Sequence, residues 1–131
     1  MQIKFKHIQF TELESNVKTL DKNVTSELET SLSIDNSFTK ENINEFVVNF
    51  HIKIENSDKS FYLKLKAIAQ FSTKEDITDE FKKSLFIEIN APAIAFPYVR
   101  TFISNLTLNM GYNPILLPTF NFVELSKEEK K

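Results

Sequence analysis

The 131-residue chain has no cysteine, which excludes disulfide scaffolds, thiol nucleophiles, cysteine-ligated zinc and iron–sulfur clusters together. It has a single glycine, Gly111, so a glycine-rich phosphate loop cannot be built and nucleotide binding by that route is excluded. Tryptophan is absent, and so is a basic excess. The formal net charge is −2 and Arg100 is the sole arginine, so the field that draws proteins to nucleic acid is missing. No apolar run approaches the roughly 20 residues of a membrane helix, and Met1 to His7 lacks the apolar stretch of a signal peptide. The expectation is a soluble, cytoplasmic protein without membrane insertion. His7 and His51 are the only histidines and stand in no metal or triad spacing. No catalytic residue, metal or cofactor is therefore expected, and an enzyme is the least supported class.

What is present is apolar and aromatic. Hydrophobic residues make up 41% of the chain, including 13 phenylalanines, enough for one folded domain with its own core. Ile3 and Phe5 alternate in one phase, Ile8 and Phe10 in the other, as in a strand with a bulge near His7. Residues 11–23 are polar and read as a loop that holds the carboxylates Glu12 and Glu14. Val24 to Ile34 shows period two and gives a second strand, and residues 35–44 form a connector. Phe46 to Ile54 and Phe61 to Phe71 alternate on either side of Asn56-Ser-Asp-Lys-Ser60, a hairpin of two long strands with one apolar face.

Ser72-Thr-Lys-Glu75 offers a capping box before the stripe Ile77, Phe81 and Leu85, which predicts a first helix. Asn90-Ala-Pro92 opens a second, in which Pro97 would clash with the Ala93 carbonyl unless the helix starts late or kinks. Phe96, Val99, Ile103, Leu106 and Met110 form its apolar face, and Gly111 ends it with a left-handed cap. Ile115 to Phe122 is apolar but contains Pro118, so it belongs on a sheet edge or in an ordered loop. The fold class is α+β, a four-stranded antiparallel sheet with two helices on one face. Residues 1–125 form a single domain and 126–131 a charged flexible tail.

Phe96-Pro-Tyr-Val-Arg100, Ile103-Ser-Asn-Leu106, the helix-ending Gly111 and Pro118-Thr-Phe-Asn-Phe122 resemble the SecB family of protein-export chaperones. The resemblance implies ATP-independent binding of unfolded or partly folded polypeptides in apolar grooves, and assembly as a homotetramer, a dimer of dimers. It places client contacts near the second helix, the loop after it and the crossover between the first two strands. The candidates are Val24, Phe96, Tyr98, Leu116, Leu117, Pro118, Phe120 and Phe122. For any one of the phenylalanines, packing in the domain's own core or at a subunit interface is the stronger reading. Family members dock the motor ATPase SecA through acidic residues on the sheet, and Glu12 and Glu14 are the candidates for partner docking. Lys64 and Asn16 stand where the family carries other acids, and a charge reversal repels, which argues against conventional SecA docking. A second reading follows, a dedicated chaperone for one partner such as the antitoxin of a toxin–antitoxin pair. The short tail replaces the family's third helix. Arg100 is expected to form a salt bridge or to cap a neighbouring carbonyl.

Overall fold

The computed structural model describes residues 2–129. Four antiparallel strands, β1 (Ile3–Val17), β2 (Glu29–Phe38), β3 (Glu45–Glu55) and β4 (Phe61–Thr73), form one sheet in the order β1-β4-β3-β2. Three helices follow, α1 (Asp79–Lys82), α2 (Ala91–Asn109) and α3 (Phe122–Glu129), with a π-type turn at Phe86–Asn90 leading into α2.

The β3–β4 hairpin carries the core. Its even positions on β3 and odd positions on β4 face one side, where Phe46, Phe50, Phe61, Phe71 and Leu63 are buried beneath Ala95, Val99 and Ile103 of α2. Each such side chain stabilises the fold by about 1.5–3 kcal/mol. The turn is closed by Asn56, whose side-chain oxygen accepts the Phe61 amide proton at 3.0 Å.

β1 departs from simple alternation twice. Its register against β4 slips between Phe5 and His7 and again between Phe10 and Glu12. Lys6 and Thr11 are the extra residues, and each flips the phase. The first bulge is the one expected near His7. The second was not foreseen, and it restores the phase so that Leu13 and Val17 join Ile3, Phe5, Ile8 and Phe10 on the apolar side. Residues 11–17 are therefore strand rather than loop, held mainly by backbone pairing to β4 because few of their side chains are apolar.

The second strand is also displaced. Lys22–Ser26 is a 3₁₀ turn, started by Asp21, whose carboxylate accepts the Asn23 amide proton at 2.9 Å. β2 begins at Glu29 and runs on to Phe38, taking in the first four residues of the expected connector. The even phase expected for it holds: Leu32, Ile34 and Phe38 pack against the core.

Three helix expectations are corrected. Ser72 and Thr73 belong to β4, and the cap of α1 is Thr78, whose hydroxyl accepts the Phe81 amide proton at 3.1 Å. α1 is a single turn that buries Phe81 and leaves Leu85 exposed. α2 does not start late: it begins at Ala91, after an Asn90 that is itself helical and makes no side-chain cap, and continues through Pro97. Proline removes one amide donor there, but Ala93 and Pro97 both lie on the solvent side, where water can satisfy the freed carbonyl. Finally, α3 occupies residues expected as part of a tail. Asn121 caps it by accepting the Val123 and Glu124 amide protons at 3.1 and 3.3 Å. Of the expected tail, residues 130 and 131 lie outside the described residues.

The end of α2 matches its prediction. Gly111 has φ 100, its amide donates to the Leu108 carbonyl at 3.0 Å, and the Tyr112 amide donates to that of Thr107 at 3.1 Å. This is a Schellman cap, and a residue with a Cβ would be strained in its left-handed position.

Candidate functional site

α2 has three flanks, each set by sequence spacing. Val99 and Ile103 point to the sheet. Tyr98 and Phe102, one turn apart, lie over β1, where they stack on Phe5 and Phe10 with ring centroids 4.8 and 3.9 Å apart. Arg100, Ser104 and Thr107 form a polar row on the third flank, and all three bond the segment that returns after Gly111.

That return segment, residues 113–121, has no strand partner, so its backbone groups need others. The helix supplies them. Thr107 Oγ1 accepts the Ile115 amide proton at 2.9 Å and donates to the Ile103 carbonyl at 2.9 Å. Ser104 Oγ donates to the Ile115 carbonyl at 2.6 Å, and Arg100 Nη2 to the Leu117 carbonyl at 3.1 Å. Arg100 thus takes the carbonyl-capping role of the two expected for it.

Pinned this way, the segment alternates. Ile115 and Leu117 are 5% and 3% exposed, while Leu116 between them is 81% exposed. Leu116 overhangs a cleft of about 290 Å³ lined by Pro97, Arg100, Thr101, Ser104 and Leu117. Beside the cleft, the outward stripe of α2 carries Ile94, Tyr98 and Leu108, all exposed.

The β1–β2 crossover closes one end. The Tyr112 hydroxyl donates to the Thr19 carbonyl at 2.7 Å, the Asn113 amide to the Lys22 carbonyl at 3.1 Å, and Thr25 Oγ1 to the Asn113 carbonyl at 2.8 Å. Crossover, helix and return segment are therefore joined to one another by hydrogen bonds. The residues that join them, Thr19, Thr25, Ser104, Thr107 and Asn113, escaped the sequence reading. The spacing of Arg100, Ser104 and Thr107, a polar row on one side of an otherwise apolar helix, was the available signal.

The predicted client residues divide. Leu116 and Pro118 are exposed, and Tyr98 is 51% exposed with one ring face against Phe5. Val24 is half-buried in the 3₁₀ turn. Phe96 is only 3% exposed and Leu117 likewise, so both are core residues and cannot meet a client in this conformation. Phe120 and Phe122 do share one side, but they point inward, each edge-on to Phe96 with centroids 5.2 and 5.7 Å away. They are half-buried at the rim.

Glu12 and Glu14 lie elsewhere, on the sheet face away from the helices, opposite Lys66 and Lys64 of β4. Among the described residues no group of three His, Asp or Glu side chains is placed to hold a metal. His51 contacts the exposed carboxylate of Asp35 at 3.1 Å. Two carboxyls sit below their ordinary range. Glu45 is lowered by its hydrogen bond to Lys6, and Asp58 by hydrogen bonds from Ser60.

Comparison with known proteins identifies the family and the fold. The family described as preprotein translocase subunit SecB matches residues 2–131. An uncharacterized protein of Methanocaldococcus jannaschii is 31% identical over 122 residues, covering 88% of this chain and 74% of that one. The protein-export protein SecB of Rickettsia akari is 26% identical over 109 residues, covering 82% and 70%. The chain spans 43% and 52% of the SecB proteins of Neorickettsia sennetsu and Rhodospirillum centenum. Among solved structures, the fold is similar to that of the Mycobacterium tuberculosis SecB-like chaperone Rv1957, which was solved in complex with a peptide from the HigA1 antitoxin. That match has a TM-score of 0.72 at 18% identity and covers 90% of both chains. With the family matched across its whole length and the sheet-and-helix layer in place, the chain belongs to the SecB family.

Proposed function

We propose that this protein is an ATP-independent holdase that keeps non-native polypeptides from aggregating, as a non-enzymatic, cytoplasmic chaperone of the SecB type. The observation that carries this reading is the exposed Leu116, held outward over the α2 cleft by backbone bonds to Ser104 and Thr107. An unfolded chain offers no fixed shape, so it can be held only through apolar side chains and backbone groups. Leu116, Pro118 and Tyr98 provide the first contacts, with Val24, Phe120 and Phe122 at the rim. Each client side chain that buries there contributes about 1.5–3 kcal/mol, offset by the ordering of the bound chain.

Ile94 and Leu108 on the outward side of α2 serve assembly in this reading, with protomers forming a homotetramer built as a dimer of dimers. Native mass measurement tests it: a tetramer agrees, and a clean monomer at micromolar concentration contradicts it.

A second reading, a chaperone dedicated to one partner such as an antitoxin, is favoured by the antitoxin peptide bound to the M. tuberculosis SecB-like protein of similar fold. Lys64 on the sheet also weakens the case for SecA as a partner. Aggregation assays on a panel separate the two. Protection of several unrelated unfolded proteins supports the general holdase, and protection of one neighbour-encoded protein alone supports the dedicated one.

A further inference from the structure

The sheet face away from the helices holds a charge pattern that the α2 groove does not use. Glu12, Lys66, His51 and Ser33 stand in register across β1, β4, β3 and β2. Two residues along each strand, Glu14, Lys64, Lys53 and Ser31 form a parallel row about 7 Å away. Between the rows the side chains of Leu65 and Ile52 point through to the core, leaving a trench of about 250 Å³ floored by their backbone.

Three lysines share its two central strands, Lys53 on β3 and Lys64 and Lys66 on β4. Lys53 and Lys64 are directly opposed in the β3–β4 ladder, an arrangement of like charges that costs stability. Lys53 is partly compensated, with Glu55 at 3.7 Å and the Tyr62 ring at 5.8 Å. Lys64 and Lys66 form no ion pair with any described residue, although Glu14 and Glu12 stand across from them. A sheet folded for its own stability alone would alternate these signs. An anionic partner relieves the repulsion and gains the unspent charge.

We propose that this trench docks an extended acidic segment of another polypeptide, as a second binding surface independent of the α2 groove. Four strands at about 4.8 Å spacing give a crossing of roughly 15 Å, which four or five extended residues span. The lysines sit at the centre, and Glu12, Glu14, Asp35 and Glu55 frame them. A peptide can place carboxylates at the centre only, whereas the uniform phosphates of a nucleic acid would run into the acidic frame. Ser31 and Ser33 offer hydroxyls to its backbone.

The test is fluorescence anisotropy with a labelled peptide bearing a central Asp-Glu-Asp cluster, its Asn-Gln-Asn counterpart and an oligothymidylate. The acidic peptide is expected to bind and the neutral one not, with affinity falling steeply between about 50 and about 500 mM salt. The double variant Lys64→Gln/Lys66→Gln should weaken binding about tenfold or more, and Glu12→Gln/Glu14→Gln should strengthen it. Melting curves check that the variants fold, and Lys53→Gln alone substitutes for the double variant if it does not. No binding of the acidic peptide, equal binding of the neutral peptide, tighter binding of the oligothymidylate, or indifference to the lysine changes would overturn the proposal.

Discussion

Thr107 Oγ1 lies 2.9 Å from the Ile115 amide nitrogen, and this buried bond ties the last turn of α2 to the segment that displays Leu116. The same hydroxyl donates back to the Ile103 carbonyl, so one small side chain serves both helix and segment. Replacing Thr107 with Val keeps the shape but strands the Ile115 amide without an acceptor. The expected loss is about 1–3 kcal/mol of folding stability, with Thr107→Ser largely retaining it. Urea denaturation of the two variants measures the difference, and equal stability would remove Thr107 from its place in the account.

Leu116 and Leu117 are neighbours in sequence with opposite environments. Leu117→Ala should cost about 2–5 kcal/mol, because it opens a cavity in the core. Leu116→Asp should leave stability within about 0.5 kcal/mol, as expected of an exposed site, while reducing protection of unfolded clients. Paired melting and light-scattering experiments read the two effects separately. A Leu116 variant that unfolds would show that the side chain packs inward after all.

At Gly111 the backbone has φ 100, yet a Cβ there would meet nothing within 4 Å. The cost of Gly111→Ala is therefore conformational rather than steric crowding, about 1–2 kcal/mol. Gly111→Asn should cost less, since asparagine tolerates the left-handed region better. Chemical denaturation of both decides; no loss in the alanine variant would contradict the cap.

Lys6, the bulged residue of β1, reaches over β4 to Glu45 of β3 at 3.0 Å, and Gln70 also donates to that carboxylate at 3.0 Å. This holds the Glu45 carboxyl below the ordinary glutamate range, the Lys6 hydrogen bond being the main cause. A lowered folded pKa adds stability above the ordinary glutamate value, and that stability is lost as the pH falls through the lowered one. In Lys6→Met the Glu45 titration followed by NMR should move up toward the ordinary value. An unmoved titration would mean the ion pair is not maintained in solution.

The parts of this fold that were legible in the sequence are those where one physical signal dominates. Strict alternation from Phe46 to Ile54 and Phe61 to Phe71 specified the central hairpin, and the lone Gly111 marked the end of α2. The bulge near His7 was legible because it separates two strongly apolar pairs. The bulge at Thr11 was not, since only Leu13 and Val17 report the phase beyond it. The α1 cap was misplaced because Ser72-Thr-Lys-Glu75 has the right letters, while the hairpin register draws Ser72 and Thr73 into β4. At the candidate site, the pairing of Phe120 and Phe122 on one side was readable, but not which side. That depends on Phe96, which lies more than twenty residues earlier and packs edge-on against both rings.

The central claim, that Leu116 and its neighbours hold non-native polypeptides, is tested most directly by light scattering of several unrelated proteins diluted from denaturant. The account predicts that the wild-type protein suppresses their aggregation without ATP, and that a folded Leu116→Asp variant does so far less well. Equal suppression by the two proteins, or no suppression of any client, would contradict it.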